Sequence, residues 1–231
     1  MKIGISLSGG GARGIAHIGV LEALLENGIQ PEVISGTSAG SIVGALYAAG
    51  KTPEEMLDFV KDSSILRIFR VGLPDKGLAS LKYLQERLQE AIPEDNFESL
   101  QKHLFIAVTN LLTGKLEIKS SGELHKVIMA SSAIPLVFQP VTIGDGLYVD
   151  GGTIENLPVQ PIRNLSDVVI GVNVMPYEPV EEKSVNSMWS IAVRCFEMAI
   201  WVNTKPDLKN CDIIIEPGKV RNYNIFQFNK Y

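Results

Sequence analysis

The sequence predicts an α/β fold built on parallel strands, and three observations carry that prediction. Ile3-Gly4-Ile5-Ser6-Leu7-Ser8 is a short apolar run that gives way to glycines and then to a helical pattern. Glu32-Val33-Ile34-Ser35-Gly36 repeats the arrangement, passing through Thr37-Ser38-Ala39-Gly40 into the helical pattern of Ser41-Ile42-Val43-Gly44-Ala45-Leu46. A right-handed crossover between two such strands sets both of their loops on the carboxyl edge of one parallel sheet. The third observation is size: 231 residues, 45% of them hydrophobic, suffice for one substantial core, and no stretch rich in Pro, Gly or Ser divides them. Residues 1–231 are therefore read as a single domain.

The elements follow in order. Ile15, Ile18, Leu21, Leu24 and Leu25 recur at helical spacing up to Asn27-Gly28. Thr52-Pro53-Glu54-Glu55 opens the next helix, with threonine as cap, proline in the first turn and glutamate closing a capping box. Leu81, Leu84, Leu88 and Ile92 mark another helix. Between these, Ser63 to Ala79 is irregular yet apolar, and reads either as a lid or acyl-chain wall or as ordinary core cover. Alternation from Leu104 to Leu112 favours a strand, Thr113-Gly114 a turn, and Leu116-Glu117-Ile118 a returning strand. A helix is expected from Glu123 to Ser132, ending in Ala133-Ile134-Pro135. Val141-Thr142-Ile143 and Leu147-Tyr148-Val149 flank Gly144-Asp145-Gly146, a hairpin signal whose second strand delivers Asp150-Gly151-Gly152. Farther on, pattern alone gives a helix from Ser184 to Thr204, a strand at Ile213-Ile214-Ile215 and a tail from Asn222 to Tyr231.

Charge and composition exclude several classes. With 21 basic against 26 acidic residues and a net charge of -5, there is no electrostatic footprint for nucleic acid. Met1-Lys2 runs straight into the first strand with no signal-peptide core, so a cytoplasmic protein is expected. Met188 to Val202 is too short for a bilayer span and carries Arg194 and Glu197, so it reads as a core or interfacial helix. Membrane contact, if made, is peripheral and falls to exposed apolar residues; Trp189, Phe196 and Trp201 are the candidates, although the core is their expected location. Cys195 and Cys211 lack C-x-x-C spacing and are read as buried thiols. No cluster of His, Cys or carboxylates has metal-ligand spacing, and no cofactor is expected.

The chemistry concentrates at three loops. Gly36-Thr37-Ser38-Ala39-Gly40 is G-x-S-x-G between a strand and a helix, a turn that exposes the serine hydroxyl above the helix N-terminus and makes Ser38 the candidate nucleophile. Gly9-Gly10-Gly11-Ala12-Arg13-Gly14 also fits G-x-G-x-x-G. A dinucleotide site, however, wants an acidic residue ending the second strand, and there the chain has Gly36-Thr37-Ser38, with Glu32 at the strand's start. The same glycines can instead turn backbone N–H groups towards an oxyanion, Gly10 and Gly11 being the expected donors. Arg13 either orients this loop or meets an anionic group of the substrate, or is simply solvated. Asp150, before Gly151-Gly152, is either a turn former or a carboxylate held beside Ser38 to take its proton. His17, His103 and His125 all precede Asp150 in helical or helix-end positions, so the order serine, acid, histidine cannot be built with it; packing and hydrogen bonding are their expected roles.

Taken together, the three motifs resemble those of the patatin-like phospholipases, most of all the compact bacterial members grouped with the neuropathy target esterase branch. The likeness extends to Ala130-Ser131-Ser132-Ala133-Ile134-Pro135 and Asn156-Leu157-Pro158, covers the chain from Lys2 to about Val174, and leaves 175–231 as an extension. The resemblance implies a three-layer α/β/α sandwich with a mostly parallel central sheet and a serine–aspartate dyad without histidine. It assigns Ser38 as nucleophile, Asp150 as general base, and Gly10 and Gly11, with Arg13 nearby, to the oxyanion loop. Gly9, Gly14, Gly36, Gly40, Gly151 and Gly152 are the motif glycines. The implied activity is metal-free hydrolysis of lipid acyl esters through an acyl-serine, in lipid degradation. The alternative is a lipid-binding or regulatory protein on the same fold, with little turnover.

Overall fold

Strand pairing builds the middle of the molecule, as given by a computed structural model that describes residues 1–61 and 81–222. Among these residues the strands are β1 (Ile3–Leu7), β2 (Val33–Gly36), β3 (His103–Asn110), β4 (Lys115–Lys119), β5 (Val141–Ile143), β6 (Gly146–Asp150), β7 (Val168–Val172) and β8 (Ile213–Ile215). They form one sheet in the order β5-β6-β3-β2-β1-β7-β8, with β4 also paired to β3. The run β3-β2-β1-β7-β8 is parallel, and β4, β6 and β5 add antiparallel pairs. The central strands are buried on both faces, which is why their sequences are nearly continuous apolar runs.

Helices cover both faces. On one side α1 (Ala16–Glu26), α2 (Ala39–Ala48), α3 (Pro53–Lys61), α4 (Lys82–Ala91) and α5 (Leu124–Ser131) share a large core with Ile5, Leu7, Ile34, Ile106 and Val172 of the sheet. On the other, Val33 and Val169 pack with Ile162 of α6 (Gln160–Arg163), and Leu208 at the end of α7 (Met188–Leu208) closes over them. This is the three-layer arrangement expected. Local signals hold where they have a mechanism. Thr52 and Glu55 make the reciprocal capping box of α3, at 3.2 and 2.8 Å. The β5–β6 hairpin turns at Gly144, whose φ of 56° suits the first central position of a type II′ turn.

The departures have physical causes. Strand β3 stops at Asn110 rather than Leu112, because the Asn110 side chain accepts hydrogen bonds from the N–H groups of Leu112 and Thr113 and bends the chain. His103 opens β3 instead of ending a helix, and is exposed. Cys195 is exposed and Cys211 half-buried, so neither is the fully buried thiol expected. Trp189 is also substantially exposed, and Trp201 and Phe196 are only partly buried. These residues lie on α7, which is apolar on most of its circumference but buries only Ile200, Thr204 and Asp207. An apolar run of this kind does not reveal which stripe is covered. No helix among the described residues is long and apolar enough to cross a membrane. Ser63 to Ala79, read as a lid or as core cover, lies outside the described residues, as does the tail beyond Asn222.

Candidate active site

Register brings the motifs together. Gly36, the last residue of β2, pairs with Ile106 of β3, and two residues farther along β3 Val108 pairs with Asp150, the last residue of β6. The strand ends carrying Ser38 and Asp150 therefore meet, though 112 positions separate the two residues. Ser38 has φ 53° and ψ -124°, a conformation rare for a residue with a Cβ that costs about 1–3 kcal/mol. Surrounding contacts hold it. The Ser38 N–H donates to the Ser131 hydroxyl at 2.8 Å, and that hydroxyl donates to the Ala107 carbonyl at 2.8 Å. The Ser38 carbonyl accepts from Ser41 and Ile42 at the start of α2. The flanking glycines are required by close approach. A Cβ on Gly36 would lie 2.6 Å from the Gly40 carbonyl oxygen, and one on Gly40 would lie 2.2 Å from that of Leu7. Backbone cannot yield there, so neither position admits a side chain.

Asp150 acts as the turn former that its sequence offered. Its Oδ1 accepts the Gly152 N–H at 2.8 Å, capping the short 3-10 turn Gly151–Thr153, and the carboxyl lines the same slot as Ser38. Both residues are buried, at 4% and 5% exposure. Burial pushes the Asp150 pKa up to about 7, against the smaller downward pull of the Ser38 side chain and the Gly152 N–H. A carboxyl with that pKa, beside a hydroxyl in one slot, has a basicity matched to proton transfer near neutral pH.

The glycine loop lies alongside. The Gly9 N–H is spent on the Asn156 carbonyl at 3.1 Å, while those of Gly10 and Gly11 have no backbone acceptor among the described residues. The loop is pinned from behind. The Ser8 carbonyl accepts from His17 Nε2 at 2.8 Å, and the Ser8 hydroxyl accepts from the Val174 N–H at 3.0 Å. Gly9, Gly10, Gly11, Ser38, Asp150 and Asn156 face one slot, closed on its apolar side by Ile134, Met175, Phe196 and Ile200. At about 20 Å³ the slot has room for little more than one water molecule. Arg13 does not line it; its side chain belongs to the wall of a neighbouring cavity.

No histidine enters the slot. His17 is buried behind the loop, its pKa lowered to about 4 by desolvation, and His125 is buried with Nε2 2.9 Å from the Ile92 carbonyl. Among the described residues no group of His, Cys, Asp and Glu converges as metal ligands. Four contributors escaped the sequence reading of roles. Ser131 and Asn156 stood inside motifs already singled out, but only the fold shows that one holds the Ser38 backbone and the other the Gly9 loop. Phe196 and Ile200 come from the extension, whose helical spacing gave no sign of which face meets the site.

Comparison with known proteins matches residues 5–162 to the family model described as patatin-like phospholipase. A Mycobacterium bovis protein named an uncharacterized NTE family protein is 32% identical over 176 residues, covering 75% of this chain and 49% of its own length. Lysophospholipase NTE1 of Coccidioides immitis is 32% identical over 180 residues, 75% of this chain but 11% of that protein. The chain thus aligns with about half of the mycobacterial relative and about a tenth of the fungal one. Among solved structures, VipD from Legionella pneumophila superposes with a TM-score of 0.52 at 18% identity, over 74% of this chain and 49% of that one, a likeness of fold.

Proposed function

The chain belongs to the patatin-like phospholipase family, and from that premise we propose that it is a serine hydrolase of lipid acyl esters, with Ser38 as nucleophile and Asp150 as base. The burial of Ser38 and Asp150 in one slot, on strand ends that β3 brings together, carries this reading. Asp150 takes the Oγ proton as Ser38 attacks the ester carbonyl. The developing oxyanion is met by the free N–H groups of Gly10 and Gly11, helped by the positive end of α2. Collapse of the tetrahedral intermediate passes the proton from Asp150 to the departing alcohol and leaves an acyl-serine. Asp150 then deprotonates a water that attacks the acyl carbonyl, and the second collapse returns the proton to Ser38 and releases the fatty acid. The name of the fungal relative supports a lysophospholipid-type substrate.

The tightness of the slot favours the alternative of a lipid-binding protein with little turnover. The intact Ser38–Asp150 pair favours hydrolysis, and we adopt that reading. Hydrolysis of a soluble acyl ester is its test: Ser38→Ala is expected to lower kcat/KM by about four powers of ten or more while leaving the fold intact. Turnover retained in that variant would overturn the assignment.

A further inference from the structure

Ile200, Thr204 and Asp207 mark the covered side of α7, and Phe196 next to them closes the slot. The opposite side of that helix faces outward. Between Met188 and Val202 no exposed residue is charged. Met188, Ile191, Cys195, Met198 and Val202 recur there at intervals of three and four, the heptad spacing of a seam between two helices. All five are exposed: Met188 by 89%, Val202 by 56%, Ile191 by 51% and Met198 by 48%, with the Cys195 thiol between them. The two charged residues of the span, Arg194 and Glu197, lie off the stripe and bond each other at 3.2 Å. Fourteen residues of helix make the stripe about 21 Å long. A continuous apolar ridge of this length marks an interaction surface, unlike the single apolar side chains scattered over ordinary surfaces.

In position the stripe reads the same from either end. Met188 and Val202 stand seven residues to either side of Cys195, Ile191 and Ala199 four, and Ala192 and Met198 three. A two-fold rotation through Cys195 therefore lays apolar on apolar along the whole stripe, the self-complementarity that an isologous interface requires. Ala192 and Ala199 flank the seam and are small enough to let two helix axes approach to about 8–10 Å. Charge sets the direction. Glu182 is exposed ahead of α7, whereas Lys205 and Lys209 are exposed at its end. An antiparallel pair sets each acidic end against the partner's basic end and opposes the two helix dipoles, whereas a parallel pair sets like against like. We infer that α7 is a homodimer interface, pairing antiparallel with α7 of a second copy across a two-fold axis near Cys195. A lipid surface fits the stripe less well, because interfacial helices carry Lys and Arg along their polar side. Here Glu197 neutralises Arg194, and Glu181 and Glu182 precede the helix.

Sedimentation equilibrium of the full chain tests this independently of turnover. At micromolar concentration the parent is expected to show twice the 25.2 kDa of one chain. Ile191→Glu and Met198→Glu each bury a charge twice over in the seam, and each is expected to weaken the dimer at least about a hundredfold. Both side chains are exposed in the single chain, so far-UV circular dichroism is expected to stay unchanged. Leu112→Glu, exposed in the turn between β3 and β4, is expected to leave the dimer intact. A short bifunctional thiol reagent is expected to link two chains through Cys195, and Cys195→Ser to abolish the link although Cys211 remains. A parent that sediments as a monomer, or a dimer that survives both seam glutamates, would overturn the proposal. A dimer without the Cys195 link would overturn the pairing by placing its axis elsewhere. Binding of a monomeric parent to phosphatidylcholine vesicles, lost in Met198→Glu, would overturn it in favour of a lipid surface.

Discussion

Ser38 sits in a backbone conformation that only its neighbours make tenable, and among them Ser131 has the sharpest consequence. Its hydroxyl answers a backbone N–H at Ser38 and a carbonyl at Ala107, both away from water. Ser131→Ala leaves both groups unpaired and is expected to cost about 2 kcal/mol, read from denaturant midpoints, and to slow turnover by loosening the elbow. Asp150 permits a prediction of opposite sign. Its folded pKa, about 7, lies above the ordinary value of 3.8, so the folded state holds this proton more tightly than the unfolded chain. That contribution to stability is complete below the ordinary pKa and lost as pH rises through about 7. Asp150→Asn, which keeps an oxygen for the Gly152 N–H but carries no charge, is expected to melt higher than the parent at pH 8, while losing activity. The parent's kcat/KM is expected to rise through pH about 7 as the carboxylate forms. At this scale the sequence was informative because motif chemistry is local: G-x-S-x-G and Asp-Gly-Gly name their own turns. The partners of those turns were not legible, since Ser131 lies 93 positions from Ser38.

At the scale of elements, the β2–Ser38–α2 unit is packed so closely that Gly40→Ala is expected to yield little folded protein. Its methyl would meet the Leu7 backbone, which the sheet fixes. Soluble yield and thermal melting of that variant against Gly19→Ala, where a Cβ meets nothing within 4 Å, measure the effect. Helix α7 poses the complementary case of a gap too small. Phe196 and Ile200 close the slot, so Phe196→Ala is expected to speed acylation by bulky esters more than by small ones, visible as a changed ratio of kcat/KM between the two. The helices with one apolar stripe, such as α4 with Leu84 and Leu88 buried, were legible from spacing. Helix α7 was not, because its apolar residues surround the axis and only tertiary contact selects the covered stripe.

For the whole molecule, the parallel core, its two helical layers and the meeting of three loops follow from strand order and crossover handedness, which the alternation of strand and helix patterns encodes. What those patterns could not give is the pairing of β6 with β3, a long-range antiparallel register that brings Asp150 to Ser38. The same folding buries further carboxyls. Glu155 is pushed up to about 7 by burial and the nearby Asp207 charge, and Asp207 to about 6 by burial. His17 opposes them, since its lowered pKa makes stability rise with pH until its ordinary titration around 6.5 is complete. Between pH 6.5 and 8 the three buried carboxyls outweigh what remains of the His17 contribution, so the melting temperature is expected to fall across that interval. Glu155→Gln should flatten the fall, as thermal melts at the two pH values will show.

Whether Ser38 is an activated nucleophile served by Asp150 is decided by labelling with a fluorophosphonate and locating the modified peptide by mass spectrometry. Modification is expected to be confined to Ser38, absent in Ser38→Ala, slowed at least about a hundredfold in Asp150→Asn, and faster as pH rises through about 7. A folded protein that takes up no label, or that takes it at another serine with Ser38 unmodified, would contradict that role.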